Sequence, residues 1–204
     1  MKLNRTTYLW GIGLFLLNLG LKAWYLGAND IALDEPFTIF HAQQSLGELF
    51  ELFPKENNPP LHFLLLHYVI ELFGIGPESV RGLSLLFSCL TAVFIFRLGL
   101  RHFSLITGLG ASLIFTFSNF HIYHSHEART YSLMVFLTVM ATDAYLSAFK
   151  EPGKTWSYIW LGIWNTLLIY SHFLGFWLLL AQVVGILASP RRWAFFKGLF
   201  FTGV

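Results

Sequence analysis

The chain has a single cysteine in 204 residues, Cys89, so no disulfide can form within it, and the thiol sits in an apolar run where it reads as a small buried hydrophobe. Charge is equally scarce: 12% of the residues are Asp, Glu, Lys or Arg, about half the share of an ordinary soluble domain. The 13 basic residues nearly cancel the 11 acidic ones, which leaves a net charge of +2 and no basic field for nucleic acid to read. Proline occupies only 7 positions, so long stretches are free of helix breakers. What fills the chain instead is apolar: 55% hydrophobic residues, 22 of them Phe and 7 Trp, with a mean hydropathy of +0.60. Such a chain cannot cover itself with polar groups in water, and Phe and Trp suit lipid-facing and interfacial positions. Composition therefore predicts an all-α polytopic membrane protein.

A spanning helix needs about 20 mostly apolar residues. The candidate runs are 7–26, 80–98, 105–122, 130–149, 156–171 and 173–188, with a seventh from 194 to the last residue, 204. On this reading residues 1–204 are the N-terminal transmembrane module of a longer protein. The basic start, Lys2 and Arg5, followed by an apolar run has the look of a signal peptide. The run is long enough to span, however, and Gly27-Ala28-Asn29-Asp30 is a poor cleavage site, so an uncleaved first helix is expected. Residues 60–75 are apolar but short, and His62, His67 and Glu71 would be costly at the bilayer centre. If that stretch does not cross, the basic clusters Lys2/Arg5, Arg97/Arg101, Lys150/Lys154 and Arg191/Arg192/Lys197 all fall on one side, the cytoplasmic one by the positive-inside rule. Residues 27–79 are then the first extracytoplasmic loop, with interfacial helices at 36–53 and 60–75. Short outer turns follow at 121–129 and around His172.

Polar chemistry concentrates in those outer segments. Asp34 and Glu35 stand side by side just after the first span, where they either cap the helix that Pro36 opens or present carboxylates for chemistry. The segment Lys55-Glu56-Asn57-Asn58-Pro59-Pro60-Leu61-His62 has a double proline that fixes an extended entry into the next helix. Glu56, Asn58 and His62 can converge with Asp34 there, or serve as solvated turn residues. The second outer turn packs His121, His124, His126, Glu127 and Arg129 into nine residues, with Tyr131 close behind. Interfacial anchoring explains such a turn plainly; phosphate recognition explains it more sharply, since an arginine fork is permanently charged and makes paired hydrogen bonds. A divalent metal on Glu56, His124 and His126 is a third reading, although residues two apart on a helix diverge. Arg81 and His172 admit the same choice between anchor and anion contact.

Taken in order, Leu33-Asp34-Glu35, Asn57-Asn58-Pro59-Pro60-Leu61, Ser79-Val80-Arg81-Gly82-Leu83-Ser84 and His126-Glu127-Ala128-Arg129-Thr130-Tyr131 resemble polyprenyl-phosphate-dependent C-type glycosyltransferases. The closer likeness is to the protein O-mannosyltransferase and lipid A aminoarabinose-transferase group, often described as dolichyl-phosphate-mannose-protein mannosyltransferases. The resemblance implies a multi-pass protein of the bacterial inner or plasma membrane. It implies transfer of one sugar from a polyprenyl-phosphate carrier to an acceptor hydroxyl on protein, lipid or glycan, with inversion, on the extracytoplasmic side. Asp34 matches the first-loop acid that serves such enzymes as catalytic base, with Glu35 its motif neighbour. Substrate and donor-phosphate contacts then fall to Glu56, Asn58, His62, Arg81, His126, Glu127, Arg129, Tyr131 and His172. Relatives often carry a lysine before the prolines, where this chain has Asn57 and Asn58. A divalent metal is the one cofactor left open. Two other classes compete: a transporter, which would place ionisable groups at mid-membrane, and a non-catalytic scaffold whose loops hold a partner.

Overall fold

A computed structural model describes residues 5–52, 58–152 and 154–202. Among them it contains eleven helices and no strand. They are α1 (Arg5–Ala23), α2 (Glu35–Ala42), α3 (Leu46–Leu52), α4 (Leu61–Phe73), α5 (Pro77–His102), α6 (Leu105–Thr116), α7 (Asn119–Ser125), α8 (Tyr131–Lys150), α9 (Thr155–Ser171), α10 (Gly175–Ala188) and α11 (Arg192–Thr202). An all-helical fold is what lipid demands, because each helix satisfies its own backbone N–H and C=O groups without water. By length and composition α5 and α8 can each cross a membrane, and α6 with α7 makes a third span if the pair is counted as one. That pair bends by 62°, so the single helix expected over 105–122 is two. Large apolar side chains face outward along α1 (Leu9, Ile12, Leu16) and α10 (Trp177, Leu180, Val184), as helices solvated by lipid require.

The long α5 is the hub, packed by α1, α6 and α8, with α9 laid along α8. Its core contacts are apolar, but polar staples cross them. Asn18 Nδ2 donates to Thr116 Oγ1 at 2.9 Å, Ser112 Oγ to the Ala92 carbonyl at 2.7 Å, and Lys22 Nζ to Ser88 Oγ at 2.8 Å. Lys22, at the last turn of α1, is buried, and its ammonium lies 4.7 Å from the Phe115 ring centre. Where α5 crosses α6, Gly99 and Gly108 let the two backbones touch: a Cβ on Gly108 would press on the Phe96 carbonyl, and one on Gly99 on Gly108 itself. Gly108→Val is therefore expected to separate these helices and destabilise the fold by about 1–3 kcal/mol, the usual cost of overpacking. A thermal melt of the purified protein in detergent checks this, and an unchanged Tm would refute the close crossing.

The helices sort the charges by end. Arg101 and His102 bind Asp143, Lys150 Nζ donates to the His102 carbonyl, and Tyr158 Oη donates to the carbonyls of Pro152 and Phe195. The clusters at 97–101, 150–154 and 191–192 thus share one end of the bundle, and Arg5 lies there too because α1 runs antiparallel to α5. At the other end, Arg81 holds the carbonyls of Leu26, Asn29 and Asp30, and Thr130 Oγ1 donates to the Ser171 carbonyl. The described segments 24–52 and 58–76 begin and end at that end, with Leu26, Asn29 and Asp30 bound by Arg81. Within them α4, of 13 residues, is about 20 Å long, short of the roughly 30 Å of a hydrocarbon core. The helix expected over 36–53 divides after Ala42, because Ser45 and Glu48 form a capping box that starts α3: Ser45 Oγ lies 2.7 Å from Glu48 Oε2, which also accepts the Ser45 amide at 2.9 Å.

Candidate active site

The site is built on one buried ion pair. Arg81, in the first turns of α5, donates through Nε and Nη2 to the two oxygens of Glu35 at 2.8 and 2.7 Å. Its remaining donors take the Leu26 and Asn29 carbonyls at 3.0 and 2.7 Å and the Asp30 carbonyl at 3.0 Å. All five guanidinium hydrogens are thereby used. Glu35 is as fully engaged, since it also accepts the amides of Ala128 at 2.8 Å and Ala32 at 3.2 Å. Burial raises its pKa, but the Arg81 bonds and the two amides outweigh burial and hold the carboxyl below its ordinary value. The pair expected to contribute a catalytic acid and a phosphate contact instead braces the loop: neither group has capacity left for a ligand.

That brace sets its neighbours. The bond from Glu35 to the Ala128 amide draws the turn between α7 and α8 against the start of α2, so that Arg129 meets Asp34. The carboxylate of Asp34 is 75% exposed and makes no cap bond to α2, although Asp34 is the N-cap residue. Its contact is Arg129 Nη2 at 3.5 Å from Oδ2, while Arg129 Nη1 lies 3.4 Å from both the Asp34 carbonyl and Thr38 Oγ1. These are long, weakly held contacts. Leu33, just before Asp34, has φ of +55°, a left-handed conformation rare for a bulky residue and worth about 1–3 kcal/mol of strain. The carboxylate is thus thrown outward by a turn that the Arg81–Glu35 bonds keep in place.

Behind Arg129 lies a crevice lined by Thr38, Asn58, His62, Thr130 and His172. It encloses only about 20 Å³, room for one water, so any larger ligand meets these groups from the open side where Asp34 stands. His62, at the first turn of α4, is buried, and its Nε2 has no hydrogen-bond partner among the described residues. Burial, and secondarily the charge of Arg129, pushes its pKa down to about 3. His172 is lowered by the same two causes in the same order. Both rings are therefore neutral near pH 7, and Arg129 is the cation that lines the crevice among the described residues. Tyr131 stacks loosely beneath, its ring 5.8 Å from the Arg129 guanidinium and 6.0 Å from His172.

The burial of a neutral His62 has a pH consequence. Its folded pKa lies below the unfolded value of about 6.5, so the stability it contributes is present above pH 6.5 and is lost as pH falls towards 3. Between pH 7 and 4 the expected loss from this group is at most about 3 kcal/mol. His62→Asn should flatten thermal stability over that interval, and a variant that retains the full acid sensitivity would contradict the burial of a neutral ring.

The other sequence candidates go elsewhere. His126 Nε2 bonds to the Lys22 carbonyl, tying the turn to the end of α1. His124 Nδ1 pairs with Glu127 at 2.8 Å, so Glu127 is turned towards α7 and away from Arg129. Two of the three residues considered for a metal are thus committed to different partners, and the third, Glu56, lies outside the described residues with Lys55 and Asn57. Among the described residues no three His, Cys, Asp or Glu side chains come together around one position. Thr38 was not anticipated as a site residue. Its signal was positional: four residues after Asp34 on a helix, it shares that residue's face.

A sequence profile of the family described as dolichyl-phosphate-mannose-protein mannosyltransferase matches residues 57–204. That segment holds Asn58, His62, Arg81, the whole 121–131 turn and His172, whereas Asp34 and Glu35 precede it. No curated protein and no solved structure matches the chain. With nearly three quarters of its length under the profile, and with an all-helical membrane fold beneath it, the chain belongs to the dolichyl-phosphate-mannose-protein mannosyltransferase family.

Proposed function

We propose that this membrane glycosyltransferase moves a sugar from a polyprenyl-phosphate donor to an acceptor hydroxyl on the extracytoplasmic side, with Asp34 as the general base. The observation that carries the reading is an exposed carboxylate, which caps no helix, beside Arg129, the one cation that lines the crevice among the described residues. An acceptor hydroxyl is a poor nucleophile near pH 7, and Asp34 would take its proton as the oxygen bonds to the anomeric carbon. The bond from that carbon to the phosphate oxygen breaks, and its electrons leave with the polyprenyl phosphate. Attack from the face opposite the leaving group inverts the centre. The departing phosphate needs positive charge rather than a proton, and Arg129 supplies it. At 3.5 Å the Asp34–Arg129 pair is too close for a sugar to lie between them. An exposed contact of this kind is worth under about 1 kcal/mol, so an incoming donor can part it. The basic clusters at the opposite end of the bundle support the extracytoplasmic side for this site. With its tail in lipid and its headgroup at the interface, the donor reaches a site at the helix ends without leaving the membrane.

The test uses membranes containing the full-length protein, a polyprenyl-phosphate donor carrying a labelled sugar, and isolation of the product. Transfer to a hydroxyl with inverted anomeric configuration is expected; retained configuration, or transfer only from a sugar nucleotide, would defeat the proposal. Arg129→Gln should lower kcat by about 10²–10³, the usual cost of losing one preorganised donor to developing charge, and Arg129→Lys should recover part of it. Equal rates in all three proteins would remove Arg129 from the mechanism.

A further inference from the structure

A cleft far larger than this crevice lies elsewhere among the described residues. About 520 Å³ opens between α5, α8 and α9 at the end of the bundle where the basic clusters gather. Along α5 the rise from Arg81 to Arg97 is about 24 Å and to Arg101 about 30 Å, the thickness of a hydrocarbon core. A helix of that length and composition can set its two ends at the two headgroup levels of one bilayer.

The cleft is graded from cationic to apolar. At its rim Arg97 is exposed, with its guanidinium 5.5 Å from the Phe94 ring centre, and it pairs with no carboxylate among the described residues. Lys154, also exposed, holds Glu151 at 3.0 Å in a surface pair of the kind that exchanges readily. The one acid in the wall, Asp143, is already engaged by Arg101 at 2.8 Å and His102 at 2.7 Å, and so leaves Arg97 uncompensated. Inward the wall becomes a continuous aromatic surface: Phe94 meets Phe136 edge-on, Phe136 meets Trp164 edge-on, and Trp164 stacks on Trp160 at 5.8 Å. Cations at headgroup depth above an apolar channel open to the lipid match one chemistry, a phosphate diester carrying acyl chains.

We propose that this cleft binds an anionic glycerophospholipid from the leaflet opposite Asp34, with its phosphate on Arg97 and Lys154 and its acyl chains along Phe136, Trp160 and Trp164. Because three tryptophans line the cleft, occupancy can be read by fluorescence. The full-length protein is placed in phosphatidylcholine nanodiscs containing a minor fraction of brominated phosphatidylglycerol or, in parallel, of brominated phosphatidylcholine. The glycerol lipid should quench more strongly, with a preference of about fivefold per cation, which is about 1 kcal/mol for each Lys or Arg at an anionic surface. Arg97→Gln with Lys154→Gln should bring the two lipids level, while Arg97→Lys with Lys154→Arg should keep the preference. Trp156→Phe, Trp160→Phe and Trp164→Phe together should remove the excess quenching. Equal quenching by both lipids in the unaltered protein, or a preference that survives the double Gln change or the triple Phe change, would overturn the proposal. Loss of the preference on adding inorganic phosphate would overturn it too, by showing a site for a free anion rather than a lipid.

Discussion

Asp34→Asn should lower sugar transfer by about 10²–10⁴ while leaving thermal stability and donor binding unchanged, since a positioned base contributes about that much and Asn cannot accept the proton. The separation of activity from stability follows from the geometry. The Asp34 side chain makes no cap bond, is mostly exposed, and among the described residues its charged contact is the 3.5 Å approach to Arg129. Substitution by an isosteric amide removes no bond on which the fold rests. Initial rates at saturating donor, a melt, and retention of labelled donor together decide the matter. Transfer at the unaltered rate would dismiss Asp34 as base, and a large fall in Tm would show that it holds the loop. Glu35→Gln, unlike Asp34→Asn, should lower thermal stability as well as transfer, because that carboxylate accepts four hydrogen bonds inside the protein and holds the turn that carries Asp34.

This contrast between adjacent acids marks where sequence reading ran out. The all-helical membrane architecture was legible because apolar runs and scarce charge are local properties, and α5 and α8 fall close to where those runs lie. Asp34, Arg129, His62, Asn58 and His172 were legible as candidates because polar groups are conspicuous at the ends of apolar helices; Arg129 with His62, Asn58 and His172 does line one crevice. Which candidate is spent on structure was not legible. Glu35 meets Arg81 across 46 residues, and His126 meets the Lys22 carbonyl across 104, and a single chain carries no mark of such pairings. The buried Lys22 was missed for the same reason: its partners, Ser88 and Phe115, sit on other helices. One misreading was avoidable. Ser45-Leu46-Gly47-Glu48 is a capping box in plain view, and it predicts the break that divides the first amphipathic helix.

The second large effect is expected at Arg81. Arg81→Ala leaves the Glu35 carboxylate buried beside no cation and strips donors from three backbone carbonyls, and breaking a buried pair from one side costs about 3–5 kcal/mol. Glu35→Gln should cost less, since its one carbonyl oxygen can still accept from the Ala128 or the Ala32 amide, no buried charge is left unpaired, and Arg81 keeps its three backbone carbonyls. Arg81→Lys should resemble Ala more than Arg, because a point charge cannot make the planar pair to Glu35 and also reach carbonyls on its far side. Chemical denaturation in mixed micelles measures all three, and the predicted order is Ala, then Lys, then Gln, from most to least damaging. Should Lys restore full stability, the five-donor geometry would be incidental and simple charge sufficient. Activity supplies the discriminating readout. If the brace acts by setting Asp34 against Arg129, Glu35→Gln must lower kcat in protein that is still folded, whereas a brace that serves stability alone would leave the rate per folded molecule untouched.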